Sequence, residues 1–116
     1  TEDHPATGVC FMRAYLKAVR TYLAAIPDGK WTGPRADEIS DIIASGIGMK
    51  PELLRTAVPT YIDPNGEING DSLRRDYEFF AQQNFLESEV DVGRLIDTSF
   101  ADRAVHDLGR APGSAP

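Results

Sequence analysis

The residues that invite a chemical reading first lie between Tyr61 and Ser72, where Asp63, Asn65, Gly66 and Ile68 stand at the third, fifth, sixth and eighth places of an EF-hand calcium loop. The outer ligands of such a loop are missing. The first place falls on Tyr61 and the twelfth on Ser72, so the opening carboxylate and the closing bidentate one are absent. Asp63-Pro64-Asn65-Gly66 is also what a turn needs, because Pro fixes one φ and Gly accepts a positive one. A turn, not a cation site, is the expectation. His4 and His106 stand near opposite ends of the chain, neither in metal-ligand spacing nor beside a Ser or Cys arranged as nucleophile and base. The single cysteine, Cys10, excludes an intrachain disulfide and supplies no metal cluster; on a helix face it is expected to pack as a small apolar residue. Carboxylates are plentiful, but no spacing fixes a pair into acid and base roles. No catalytic residue, metal ligand or cofactor is assigned. Trp31 is the one candidate for stacking on a ligand, against the plainer alternative that it covers the edge of the core.

Charge narrows the partners. The 116 residues carry a formal charge of −6 and a pI near 4.8, with scattered basic residues, which argues against nucleic acid. A helix, a glycine corner and a short helix from Ile39 to Ala57 do have the outline of a helix-turn-helix. The second helix of that outline offers only Lys50 and Arg55 and places Glu52 where phosphates would approach, so a packing corner is expected. Arg13, Lys17 and Arg20 form a stripe expected to be a solvated face. No apolar run approaches the ~18 residues that span a bilayer, and the first residues lack the form of a signal peptide. A removed targeting segment or the end of a longer protein would account for that start.

These side chains need elements to hold them. Val9, Met12, Leu16, Val19, Leu23 and Ile26 recur at spacings of three and four, which predicts a long amphipathic helix from Pro5 to Ile26. Pro27-Asp28-Gly29 should end it. A second helix is predicted from Pro34, with Ile39, Ile42 and Ile43 as its buried face and Gly46 and Gly48 in a left-handed exit. Pro51 starts a short third helix reaching Ala57. Pro59 and Pro64 keep the central stretch from Ala57 to Asn69 out of helix. Asn69 should then cap a fourth helix from Gly70 to Asn84, with Ile68 and Leu73 as a hydrophobic staple. Val92, Leu95 and Ile96 suggest a further turn or two, and Ser99 is read as the cap of a last helix burying Phe100, Ala104, Val105 and Leu108. No period-two alternation appears, so the fold class is all-α: one compact bundle of about five helices over residues 1–109, with a disordered tail at 110–116.

Lys50-Pro51-Glu52-Leu53-Leu54, Ala57-Val58-Pro59, Tyr61-Ile62-Asp63-Pro64-Asn65-Gly66 and Ser72-Leu73-Arg74-Arg75, in this order, resemble the C-terminal helical segment of periplasmic substrate-binding proteins. These serve ABC importers of the nitrate, sulfonate and taurine type, including the branch similar to thiamine-pyrimidine synthesis proteins. His4-Pro5, Phe11-Met12-Arg13-Ala14-Tyr15-Leu16, Trp31-Thr32-Gly33 and Asp97 through Gly109 extend the likeness over nearly the whole chain. The resemblance implies a non-enzymatic transport component, periplasmic, whose full-length parent binds a small molecule between two α/β lobes and delivers it to a membrane permease. It also implies that this helical part braces one lobe, and no residue of the family's ligand site maps onto it. An all-α interaction module is the alternative from another class, followed by a helix-turn-helix domain and by an enzyme of thiamine-pyrimidine synthesis. Phe11, Tyr15, Phe79 and Phe85 would be left as an exposed apolar patch wherever a missing lobe should lie, which favours self-association of the isolated chain.

Overall fold

A computed structural model describes residues 4–86 and 88–112. Helix α1 spans Pro5–Ala25, opened by a proline whose missing N–H costs nothing there. Its predicted seam is the face that packs: Leu16, Val19 and Ile26 are buried; Val9, Met12 and Leu23 are half-buried. After a three-ten turn at Pro27–Gly29 the chain folds back, and the Gly33 N–H donates to the Ala25 carbonyl at 3.0 Å. Any Cβ at Gly33 would run into the carbonyl oxygen of Ala24. Only glycine permits that return.

Helix α2 is Ala36–Ile47 and starts two residues later than predicted, because Arg35 takes a left-handed φ of 59° and the Ala36 N–H closes a turn on the Gly33 carbonyl. Gly48 ends the helix at φ 68°, whereas Gly46 lies inside it. The buried residues of α2 are Ala36, Ser40 and Ala44; of the predicted isoleucine face, Ile39 and Ile43 are half-buried and Ile42 is exposed. Small side chains let α2 approach its neighbours closely, and the isoleucines are displaced to one side. Helix α3, Pro51–Thr56, forms a corner with α2.

The central stretch is non-helical as predicted. Asp63 Oδ1 accepts from the N–H groups of Asn65 and Glu67 at 2.8 and 3.0 Å, and Gly66 has φ 74°. Helix α4, Gly70–Gln82, begins at the predicted cap, with Asn69 Oδ1 accepting from the Ser72 N–H at 2.8 Å. It ends two residues before the predicted Asn84, which itself takes φ 56° while the Phe85 N–H returns to the Phe80 carbonyl. The expected staple pair, Ile68 and Leu73, both keep exposed surface.

A three-ten turn at Val92–Leu95 leads to α5, Ser99–Leu108. Ser99 is its first residue and not its cap. Asp97 Oδ1 accepts the Ser99 N–H at 2.9 Å, and the hydroxyl of Thr98 donates to Asp102.

The core sits between α1 and α5, where Leu16 and Ala104 are fully buried and Ala101 nearly so. The α2–α3 corner lies against another side of α1. Helix α4 contributes no buried residue and packs chiefly on the turn at Val92–Leu95. The radius of gyration is 17.0 Å, against about 13 Å for a near-spherical chain of this length. No strand occurs among the described residues, and the chain is the all-α bundle of five helices that its periodicity predicts. Of the tail expected to be disordered, 113–116 lie outside the described residues, while Arg110 and Ala111 are bonded to the central stretch.

Candidate functional site

Between α1, α2, α3 and residues 57–62 lies an apolar groove of about 640 Å³, within the size range of small-molecule sites. The displaced isoleucines Ile39, Ile42 and Ile43 form one wall, Val19 and Tyr22 another, and Leu54 with Val58 a third. Trp31 lines it as well. The indole stands edge-on to the Tyr22 ring, centroids 5.8 Å apart and planes at 70°, a favourable aromatic geometry. It is half-buried, and its Nε1 is buried without a hydrogen-bond partner. Trp31 therefore covers an edge of the core and borders the groove at once.

Polar chemistry in the groove is sparse. The Tyr22 hydroxyl donates to the Thr60 carbonyl at 2.8 Å, and burial holds this phenol above its ordinary pKa. It stays neutral at physiological pH. Among the described residues no Asp, Glu, Lys, Arg or His lines the groove, so the walls they form can hold an apolar surface but present no charged acid or base. Among the described residues no group of three or more His, Cys, Asp or Glu is arranged to hold a metal.

Two sequence expectations change with the geometry, those for Cys10 and for Arg20. Cys10 is exposed instead of packed, since it lies off the seam that carries Leu16 and Val19. Arg20, expected on a solvated stripe, is drawn inward and donates to the carbonyls of Pro64 and Gly109 and to Asn65 Oδ1; Arg13 of the same stripe lies 3.5 Å from Asp107 on α5. Arg55, one of two cations on the would-be recognition helix, is consumed within the corner. Its Nε donates to the fully buried Ser40 hydroxyl at 2.7 Å, and its Nη2 donates to Asp41 Oδ1 at 2.5 Å. A guanidinium held by two α2 side chains is not free for phosphate, which is a physical reason to prefer the packing corner.

Asn65, weighed in the sequence as a turn residue and as the fifth place of a calcium loop, has a packing role that neither reading predicts. It is 3% exposed and bonds to both Arg20 and Ala111; the only signal in the sequence was a carboxamide beside two turn-forming residues. His4 and His106 stay apart, the first at the start of α1 and the second exposed beside Asp107. No helix among the described residues is long and apolar enough to cross a membrane. Comparison of the chain with protein-family models, with curated proteins and with solved structures finds no match.

Proposed function

We propose that this chain is the C-terminal helical part of a periplasmic substrate-binding protein, working without turnover for an ABC-type importer of a small molecule such as nitrate, a sulfonate, taurine or a thiamine precursor. Its own task is to brace one lobe of the parent, which carries the ligand to the permease. The observation that carries this reading is α4. An amphipathic helix with no buried residue, bearing Phe79 and Phe80 and followed by Phe85 in one exposed aromatic cluster, is a surface that another body of protein would cover. The order of residues from Lys50 to Arg75 supplies the kind of parent. An enzyme of thiamine-pyrimidine synthesis would need catalytic groups outside this chain.

Determining the N-terminus and mass of the native protein tests the proposal. A longer species with α/β sequence upstream is expected, and a native species of 12.7 kDa beginning at Thr1 would overturn it. Calorimetry supplies a second check: the isolated chain should bind none of nitrate, sulfonate, taurine or a pyrimidine, because cleft sites draw polar groups from two lobes. Micromolar binding to the monomer would refute the bracing role. The same aromatic cluster also favours a self-standing interaction module. That reading predicts a native chain of this size that co-purifies with a protein partner through Phe79 and Phe85.

A further inference from the structure

The residues after α5 do not leave the molecule. The Ala111 N–H donates to Asn65 Oδ1 at 2.8 Å, and Asn65 Nδ2 donates to the Ala111 carbonyl at 3.5 Å. One side-chain carboxamide thus addresses both backbone groups of a single residue, as a paired strand would. Arg20 fastens the other side, with Nε on the Pro64 carbonyl at 3.0 Å and Nη2 on the Gly109 carbonyl at 2.8 Å. The same Nη2 reaches Asn65 Oδ1 at 3.2 Å. At the rim Arg110 pairs with Glu67.

Asn65 is almost wholly buried, and a buried carboxamide is costly unless its donor and acceptor are both used. Here the partners for that requirement are backbone atoms 46 positions away. Recognition through backbone atoms does not depend on the side chain at 111, while Glu67 selects for a cation one residue earlier. Beside this clasp lies a second cavity, of about 810 Å³, walled by Leu23, Ile26 and Tyr61 on one side and by Arg110, Ala111 and Pro112 on the other. Removing the strap would open that cavity and strand the Asn65 carboxamide.

We infer that Arg20, Asn65 and Glu67 form a binding site for an extended peptide segment with a basic residue, filled here by residues 109–111 of the same chain, and that this strap opens as a unit to expose the site. The inference stands on the clasp geometry alone and holds whether or not the chain braces a larger receptor.

Amide exchange on the full chain tests the strap. The Ala111 amide should exchange at least about fivefold more slowly than in an unstructured peptide. Asn65→Ala should abolish that protection while amides in the middle of α1 and α5 keep theirs. An unprotected Ala111 in the unaltered chain would overturn the clasp, and joint loss in strap and helices would show that the strap does not open as a unit. Should Asn65→Ala not fold, Arg110→Glu serves instead, since it sets a carboxylate against Glu67 and leaves Asn65 intact. The Arg110→Glu chain also tests the site, by titration with a capped peptide of the sequence of residues 109–112. Saturable shifts of the Asn65 carboxamide resonances are expected, and a peptide with glutamate in place of the arginine should give none. No shift at large excess of the first peptide, or equal shifts with both, would overturn the site.

Discussion

Helices α1 and α4 carry the same kind of pattern, apolar residues three and four apart, yet one is the centre of the core and the other buries nothing. The difference lies in what comes to meet them. Helix α1 faces Ala101 and Ala104 of α5, and Gly66 is inserted so closely that a Cβ there would stand 3.2 Å from Ala101 Cβ and 3.3 Å from Leu16 Cδ2. Small partners let large side chains such as Leu16 lose all contact with water. Helix α4 meets the turn at Val92–Leu95 and single contacts, such as the Val90 N–H donating to the Tyr77 hydroxyl at 2.9 Å. Its phenylalanines pack on one another, with centroids 5.6 Å apart for Phe79 and Phe80 and 6.3 Å for Phe80 and Phe85. Helical periodicity locates an apolar face; it does not supply the surface that covers it.

The sharpest way to break this comparison is to truncate one large side chain in each region. Leu16→Ala should cost about 2–5 kcal/mol, because a fully buried leucine leaves a cavity. Phe79→Ala, at a position 56% exposed, should cost less than about 1 kcal/mol. Chemical denaturation of both variants measures the gap, and equal losses would mean that α4 has a covered face in solution. Gly66→Val comes next at roughly 1–3 kcal/mol, from a left-handed backbone and an overpacked contact with Ala101 and Leu16 acting together. Its amide-exchange signature should fall on α1 and α5 and spare α4.

Local signals made much of this fold legible. Pro51 marks the start of α3, the seam from Val9 to Ile26 marks α1, and Asn69 marks α4, because each depends on neighbours within a turn or two. The left-handed Arg35 was not legible, since nothing distinguishes it from an arginine at an ordinary helix start. The roles of Arg20 and Arg55 depend on partners brought together only by folding, Pro64 lying 44 positions from the first and Ser40 lying 15 from the second. The groove was hidden for a related reason. Ile39, Ile42 and Ile43 read as a buried face, and only the approach of small Ala36, Ser40 and Ala44 to their neighbours turns those isoleucines into a wall. Trp31 could be picked out as an aromatic in a loop, but its edge-on contact with Tyr22 needs the return permitted by Gly33.

Smaller effects sharpen the contrast at the helix starts. Asn69→Ala should cost about 1 kcal/mol, since the carboxamide accepts an N–H that has no partner within the helix. The loss should appear as faster exchange in the first turn of α4 with α1 and α5 unchanged. A uniform loss across the molecule would show that α4 is coupled to the core after all.

The smallest expected effect is a response to acid at the start of α5. The Asp97 carboxylate lies below its ordinary pKa chiefly because the Ser99 side chain hydrogen-bonds to it, with the Ser99 N–H adding to this and Arg103 contributing its charge. A depressed folded-state value means that the stabilisation is fully present above the unfolded aspartate value of about 3.9 and is lost as pH falls through the lower folded value. Asp97 is fully exposed, so solvent screening keeps the effect slight. Between pH 7 and 5 the start of α5 should be insensitive to pH, and below about pH 4 the Ser99 amide resonance should move toward its unbonded position. In Asp97→Asn that movement should vanish, because the carboxamide does not titrate. Acid should leave the Asn69 cap of α4 unmoved for the same reason, so a Ser72 amide that follows the same titration would show that acid loosens both helix starts through global unfolding and not through Asp97.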